Sequence, residues 1–335
     1  MKPGKLVALL LIPVMLVVVA FSSLSVFMSS TAISVSESVL YKVKPGTGFN
    51  QFCRDLVSRR YIEWCGPLKW YTKFHPSLRQ LKKGTYRLTS DMTLVDVLAK
   101  VTSGKEHQFS ITFVEGDNYW QILERLKNAP HLIHDITLQT DPDIVAAVKA
   151  SEAHPEGIIF PDTYSYLADS KESDILRRAY QRMTRVLEKN WTERATGLPY
   201  ETPYQALIMA SIIEKETGVA NERPLIASVF VNRLDVGMRL QTDPTVIYGL
   251  GKAFDGDLKR SHLKQKTPYN TYRIKGLPPT PIAMPGEAAI SAALNPAISD
   301  YFYFVAKGDG SHQFSATLNE HNKAVREYQL KRSQR

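Results

Sequence analysis

Two glutamates one residue apart, Glu214 and Glu216, close the apolar run Pro203–Thr217 (PYQALIMASIIEKET). Proline at the start and Gly218 just past the end predict a helix over this run. A helix turns about 100° per residue, so the two carboxylates point about 200° apart and only one can face a given pocket. With Ile212 at the origin, Glu216 lies about 40° away, in a sector shared with Gln205, Ile208, Met209 and Ile213, whereas Glu214 lies near 200°, beside Leu207 and Ala210. The Glu216 sector is the more apolar. A carboxylate there loses hydration, its pKa rises, and it can hold a proton at neutral pH, as a general acid must. A buried ion pair with Arg223, Arg233 or Arg239 fits the same pattern, and periodicity leaves the two readings open.

Two polar stretches follow. Gly237–Thr245 places Gln241, Thr242 and Asp243 just before Pro244. In a loop, these side chains suit hydrogen bonding to hydroxyl and acetamido groups; an Asx-type turn ahead of the proline fits equally. Thr267–Tyr272 (TPYNTY) combines Asn270 with Tyr269 and Tyr272, a surface suited to a sugar ring or, alternatively, a loop with its tyrosines packed inward. Leu225–Leu234 predicts a further helix, Tyr301–Val305 a buried strand, and Glu320–Leu330 a closing helix.

Other chemistries find no footing. His131 and His134 are the only close histidine pair and belong to no H-E-x-x-H, so no metal site is expected. There is no G-x-S-x-G, P-loop or dinucleotide fingerprint, so no cofactor is expected either. Two cysteines exclude a disulfide-built scaffold and a four-cysteine zinc site. Cys53 and Cys65 suit either a disulfide, worth about 3 kcal/mol for a loop of this length, or two buried thiols.

The elements that hold these residues begin with a gap in the charge pattern. The 335-residue chain carries a net charge of +9, yet no charged residue lies between Lys5 and Glu37. Leu6–Phe27 is long enough to span a bilayer as a helix. Lys2 and Lys5 put residues 1–5 in the cytoplasm and residues 38–335 outside it. A cleaved signal peptide is the rival reading, since Leu6–Phe21 has the length of an h-region, but Ser29–Ala32 offers no clear A-x-A site. With most of the chain outside the cytoplasm, the basic balance favours envelope polymers and lipid head groups, and nucleic acid is not an expected partner.

Residues 28–40 are small and serine-rich, as a tether would be. Residues 41–106 read as strand, two helices (Phe49–Arg60 and Pro67–Phe74), strand, and a helix over Thr93–Val101 capped by Thr93 or Asp91. This β-α-α-β order resembles a LysM domain, a module that binds N-acetylglucosamine-containing glycans. Residues 107–335 mix a strand at Phe109–Val114, a helix at Asn118–Leu126, a short apolar strand at Gly157–Phe160 and a charged helix at Lys171–Thr192 with the stretches above. The expected class is α+β.

A collinear set of motifs carries a more specific resemblance. VEG at 114–116, EGIIFPDTY at 156–164, ASIIEKET at 210–217, VFVNRL at 229–234, MRLQTDPTVIYG at 238–249, YNTY at 269–272, GLPP at 276–279 and YFVA at 303–306 are similar to those of the endolytic murein transglycosylase (YceG-like) family. The resemblance implies a single-pass inner-membrane protein with a LysM-like subdomain and a periplasmic catalytic domain. It implies internal cleavage of nascent peptidoglycan strands between N-acetylmuramic acid and N-acetylglucosamine, leaving a 1,6-anhydro end and terminating elongation. Inner-membrane lipid and cell-wall synthases (penicillin-binding proteins) are the implied partners. The family's catalytic glutamate is the second of E-K-E-T, here Glu216. One carboxylate then suffices: it protonates the glycosidic oxygen and afterwards takes the proton of the sugar's own C6 hydroxyl as that oxygen closes on C1. Gln241, Asp243, Asn270 and Tyr272, with Glu156 in addition, are the expected positioning and charge-stabilising groups. A muramidase-type hydrolase and a non-catalytic glycan-binding scaffold are the alternatives.

Overall fold

The computed structural model describes residues 3–136 and 141–330. The chain divides into two compact units between Phe109 and Ser110.

The first unit comprises α1 (Pro3–Ser30), β1 (Ser38–Val43), α2 (Phe49–Ser58), α3 (Gly66–Phe74), β2 (Gly84–Thr89) and α4 (Leu94–Ser103). β1 and β2 form an antiparallel pair, with Tyr41 opposite Tyr86. Apolar positions at helical spacing on α2 and α4, among them Phe52, Leu56, Val97, Leu98 and Val101, build a core over this pair. The Thr93 side chain accepts the Asp96 N–H while Asp96 reaches back to the Thr93 N–H, a capping box that starts α4 at Leu94. Cys53 and Cys65 are joined in a disulfide that ties α2 to the residue preceding α3.

α1 serves two surroundings. Leu11–Ser30 is long and apolar enough to cross a membrane, and Leu11 to Val19 are exposed. Its last turns belong to the first unit: Leu24 packs against the core, Met28 is fully buried, and the Phe21 ring meets Phe74 at 5.1 Å. The expected tether at 28–40 is therefore corrected. Leu94 N–H donates to Thr31 O at 3.1 Å, and Ile33 N–H donates to Met92 O and Ser34 N–H to Tyr61 O at 2.9 Å each. Strand β1 already starts at Ser38. Met28 and Ile33, apolar residues among serines, draw the segment onto the core, and their burial outweighs the flexible composition.

The second unit opens on β3 (Gln108–Thr112), followed by α5 (Tyr119–Lys127), α6 (Asp141–Val148), β4 (Thr163–Leu167), α7 (Glu172–Thr192), α8 (Pro203–Glu216), α9 (Arg223–Asp235), α10 (Asp243–Leu250), α11 (Glu287–Leu294), β5 (Tyr303–Ala306), β6 (His312–Ser315) and α12 (Leu318–Val325). β3 pairs with β4, and β5 runs antiparallel to β6. Short two-stranded sheets among many helices make the class α+β. α8 is the central element. Thr202 caps it by accepting the Gln205 N–H, and Pro203 occupies its first turn. Every residue from Ala206 to Ile213 is buried, because α7, α9, α10 and α11 all pack on it.

That enclosure corrects one expectation. α8 has no polar face along its middle, so Leu207 and Ala210 beside Glu214 are as buried as Met209 and Ile212 beside Glu216. Burial does not distinguish the two glutamates; their partners do. The short strand expected at Gly157–Phe160 is also absent. Gly157 adopts φ +81°, with Pro281 Cβ 2.4 Å from where a side chain would start, and Phe160 N–H donates to Ala179 O of α7. The apolar residues are buried as a loop, because their backbone is bent by the glycine and partnered by a helix.

Candidate active site

Glu216 is the last residue of α8, with its side chain partly open to a cleft of about 520 Å³ that it shares with Arg233, Gln241, Thr242, Asp243, Tyr272 and His312. Four elements and two loops supply these groups. α8 presents the carboxylate, α9 presents Arg233, and β6 presents His312. The segment entering α10 presents Gln241, Thr242 and Asp243. Gln241 and Thr242 lie in the expected loop, and the helix begins at Asp243, before Val246.

Its geometry is tightly set. Gln241 stands in the left-handed region at φ +51°, a conformation sparsely used by residues other than glycine. The Thr242 N–H donates to Thr271 Oγ1 at 3.0 Å, Thr245 Oγ1 donates to Thr242 O at 2.7 Å, and the Thr245 and Thr271 hydroxyls meet at 2.8 Å. Held this way, Thr242 donates its own hydroxyl to Glu216 Oε1. Arg233 is buried and donates to Phe302 O at 2.7 Å and Leu240 O at 2.5 Å. His312 is held by Glu222, which accepts the His312 N–H at 2.8 Å and sits 2.7 Å from its ring Nδ1.

Burial pushes the Glu216 carboxyl above the usual carboxylate range. The Thr242 hydrogen bond opposes this, the negative charge of Asp243 adds to it, and His312 and Arg233 pull weakly the other way. The result is a carboxyl whose neutral form is favoured by burial and which still has a donor ready to stabilise its anion, as one group serving first as acid and then as base requires.

Glu214 is also raised by burial, but it is spoken for. Its Oε2 accepts the Gly286 N–H at 2.9 Å, and its Oε1 lies 3.5 Å from Arg223 Nη2. The arginine pairing that is the alternative for Glu216 falls to Glu214 instead, which ties α8 to the start of α11 and to α9.

Of the other expected site residues, Gln241, Asp243 and Tyr272 join Glu216 in the cleft. Tyr272 donates its hydroxyl to Asp243 Oδ1 at 2.6 Å. Asn270 does not join them. It is fully buried, its Nδ2 donates to the carbonyls of Gln265, Leu263 and His262 at 2.7, 3.2 and 3.3 Å, and its Oδ1 accepts the Tyr272 N–H. Its amide closes the loop that carries Tyr272. Glu156 is likewise elsewhere: fully buried, it accepts the Tyr119 N–H at the start of α5 on both oxygens, at 3.2 and 3.3 Å. The sequence does not mark His312; it marks Arg233 only as a candidate ion-pair partner and Thr242 only as a hydrogen-bonding group of its polar run. Thr242 lies between two residues that were chosen, and a hydroxyl in that polar run was the available signal. The other two reach the cleft through tertiary packing.

The YceG-like family model matches residues 41–327. An endolytic murein transglycosylase of Bacillus subtilis (strain 168) is 35% identical over 309 residues, covering 87% of this chain and 85% of that protein. Its namesake in Streptococcus pneumoniae serotype 2 is 32% identical over 180 residues, 52% of this chain and 32% of that longer protein. A 2.6 Å crystal structure of a YceG-like protein from Listeria monocytogenes superposes with a TM-score of 0.55 at 30% identity, covering 86% of this chain and 99% of that one.

Proposed function

We infer that this chain, which belongs to the YceG-like family, is a peptidoglycan lytic transglycosylase that cuts glycan strands internally, as its relatives are named for doing. Glu216 is its acid and base. The observation that carries this role is the pairing of a raised, cleft-facing carboxyl with a fixed hydroxyl donor, Thr242. In the first step Glu216 gives its proton to the glycosidic oxygen between N-acetylmuramic acid and N-acetylglucosamine, and the C1–O bond breaks. Asp243, held by Tyr272, supplies negative charge toward the oxocarbenium-like centre. Glu216, now a carboxylate accepting from Thr242, takes the proton of the C6 hydroxyl as that oxygen bonds to C1. The proton is returned, no water is consumed, and the strand ends in 1,6-anhydro-N-acetylmuramic acid.

α1 anchors the protein as a single span and is not cleaved. Removal of the apolar segment as a signal would strip Leu24 and Met28 from the core of the first unit. The cytoplasmic N-terminus follows from Lys2 and Lys5, and the Cys53–Cys65 disulfide supports an oxidising compartment for the first unit. The β1-α2-α3-β2 order supports a LysM-like glycan-binding role for that unit.

Mass spectrometry of glycan strands treated with the full-length protein tests the reading. New ends lighter by one water than a reducing end are expected. Reducing ends would make the protein a hydrolase, and uncut strands would leave a scaffold.

A further inference from the structure

A second hollow, of about 750 Å³, is lined by chain neighbours of residues in the Glu216 cleft. The same two helix ends wall both: Glu216 and Asp243 line the first, and their chain neighbours Lys215 and Pro244 line the second. We propose that this second hollow is a glycan subsite, with Trp120 as its stacking platform, which holds the sugars to one side of the bond being cut. The inference rests on the transglycosylase reading and extends it to how the strand is held.

Three observations carry it. The first is chemical character. Trp120 is 52% exposed, and Tyr248 and Tyr269 meet edge-on at 4.9 Å in the same hollow. Unlike the unit's other exposed apolar side chains, Trp120 lines a hollow together with this tyrosine pair, with the Lys252 ammonium 5.8 Å from its ring. Aromatic faces suit the C–H face of a pyranose, and Asp141 with His154, 3.2 Å apart at the rim, offers groups for hydroxyl and acetamido substituents.

The second is rigidity. Glu156 fixes the backbone N–H of Tyr119, whose hydroxyl donates to Asp141 at 2.7 Å, and the Tyr119 and Trp120 rings lie 3.9 Å apart. Trp120 thus sits on a pinned helix start, and little ordering cost is left for binding. Glu156, which lies outside the Glu216 cleft, acquires a role as the positioning residue for this platform.

The third is logic of the reaction. A single acid does not distinguish the interior of a strand from its end. Internal cleavage requires sugars bound on both sides of the broken bond, and a hollow walled by the chain neighbours of Glu216 and Asp243 offers a second side.

The test measures binding with cleavage silenced. In full-length Glu216→Gln protein, long glycan strands stripped of their peptides by an amidase are titrated calorimetrically, with and without Trp120→Ala or Trp120→Phe. Trp120→Ala is expected to weaken affinity about 3- to 10-fold, the worth of one aromatic contact, and Trp120→Phe to recover most of it. In active protein, Trp120→Ala should raise KM on the same strands and leave kcat nearly unchanged. Equal affinity with and without Trp120 overturns the subsite. Failure of the wild type to generate anhydro ends would instead overturn the transglycosylase reading, and the binding titration would still decide the hollow.

Discussion

Thr242 donates its hydroxyl to Glu216, and the next residue, Asp243, works on the same carboxyl in the opposite sense. The hydrogen bond favours the ionised form and lowers the pKa; the neighbouring negative charge disfavours it and raises the pKa. Because the first step needs a protonated acid, activity falls as pH rises through the Glu216 pKa. Thr242→Val should therefore move the alkaline limb of kcat/KM to higher pH, and Asp243→Asn should move it to lower pH. Both variants also slow the reaction, so the position of the limb is the readout and its height is not. Limbs that stay put, or shift together, would remove Glu216 as the titrating acid.

The two glutamates of α8 should separate cleanly on substitution. Glu216→Gln removes a proton donor and is expected to lower cleavage by at least about 10²-fold, with thermal stability unchanged or improved, because an amide is not penalised by burial as a carboxylate is. Glu214→Gln weakens the contact to Arg223, a buried side chain whose Nε already lacks a partner. It should cost about 1–3 kcal/mol of stability and leave kcat within a few-fold. Calorimetric melting together with strand cleavage checks both, and equal catalytic loss from the two variants would defeat the assignment.

Much of this site is readable from residue order, and the misses have definite causes. Thr202 and Pro203 announce the start of α8, and Glu216 is the residue chosen by both periodicity and family motif. The argument from one apolar face was nonetheless incomplete, since four helices enclose α8 and both glutamates are buried by them. Which of the two pairs with an arginine depends on where α9 crosses, and no spacing within α8 encodes that. Asn270 has the chemistry of a sugar ligand, but an amide followed by a turn serves its own loop first. Met28 and Ile33 show the same limit at the membrane end, where local composition reads as linker and packing makes it core.

Glu156 gives the second unit a pH-dependent stability. Its carboxyl is buried without a cation and is pushed up to about 8 from an ordinary 4.5. Between these values the folded state binds the proton that the unfolded state has lost, so stability is complete below about pH 4.5 and falls as pH rises through about 8. The full loss is on the order of 3–5 kcal/mol. Glu156→Gln imitates the protonated form and keeps an oxygen for the Tyr119 N–H. It should match the wild type near pH 5 and exceed it at pH 9, as measured by denaturant unfolding at each pH. Parallel pH profiles for the two proteins would show that the group does not titrate in this window.

On the reading that α1 is an uncleaved span, the exposed aromatics of α3 are expected to rest against the bilayer surface. As a helix, Leu6–Phe21 measures about 24 Å, short of the ~30 Å hydrocarbon thickness, so Phe21 sits at or inside the outer boundary of the hydrocarbon. Phe74 packs on Phe21 at 5.1 Å and is therefore brought to the same level, and Trp70 lies one turn earlier on α3. Both are 57% exposed, and the Lys73 ammonium stands 4.0 Å over the Trp70 ring, where it can meet an anionic head group. Exposed Trp and Phe beside a span, with a lysine at hand, have the composition of a membrane-interface belt. The expected outcome is measured on full-length protein in vesicles, with Trp64, Trp120 and Trp191 replaced by phenylalanine so that Trp70 alone reports. Brominated acyl chains should quench its fluorescence strongly, and acrylamide in the aqueous phase should quench it weakly. The reverse pattern would mean that α1 holds the unit clear of the bilayer, and that the aromatic face of α3 is turned to something other than lipid.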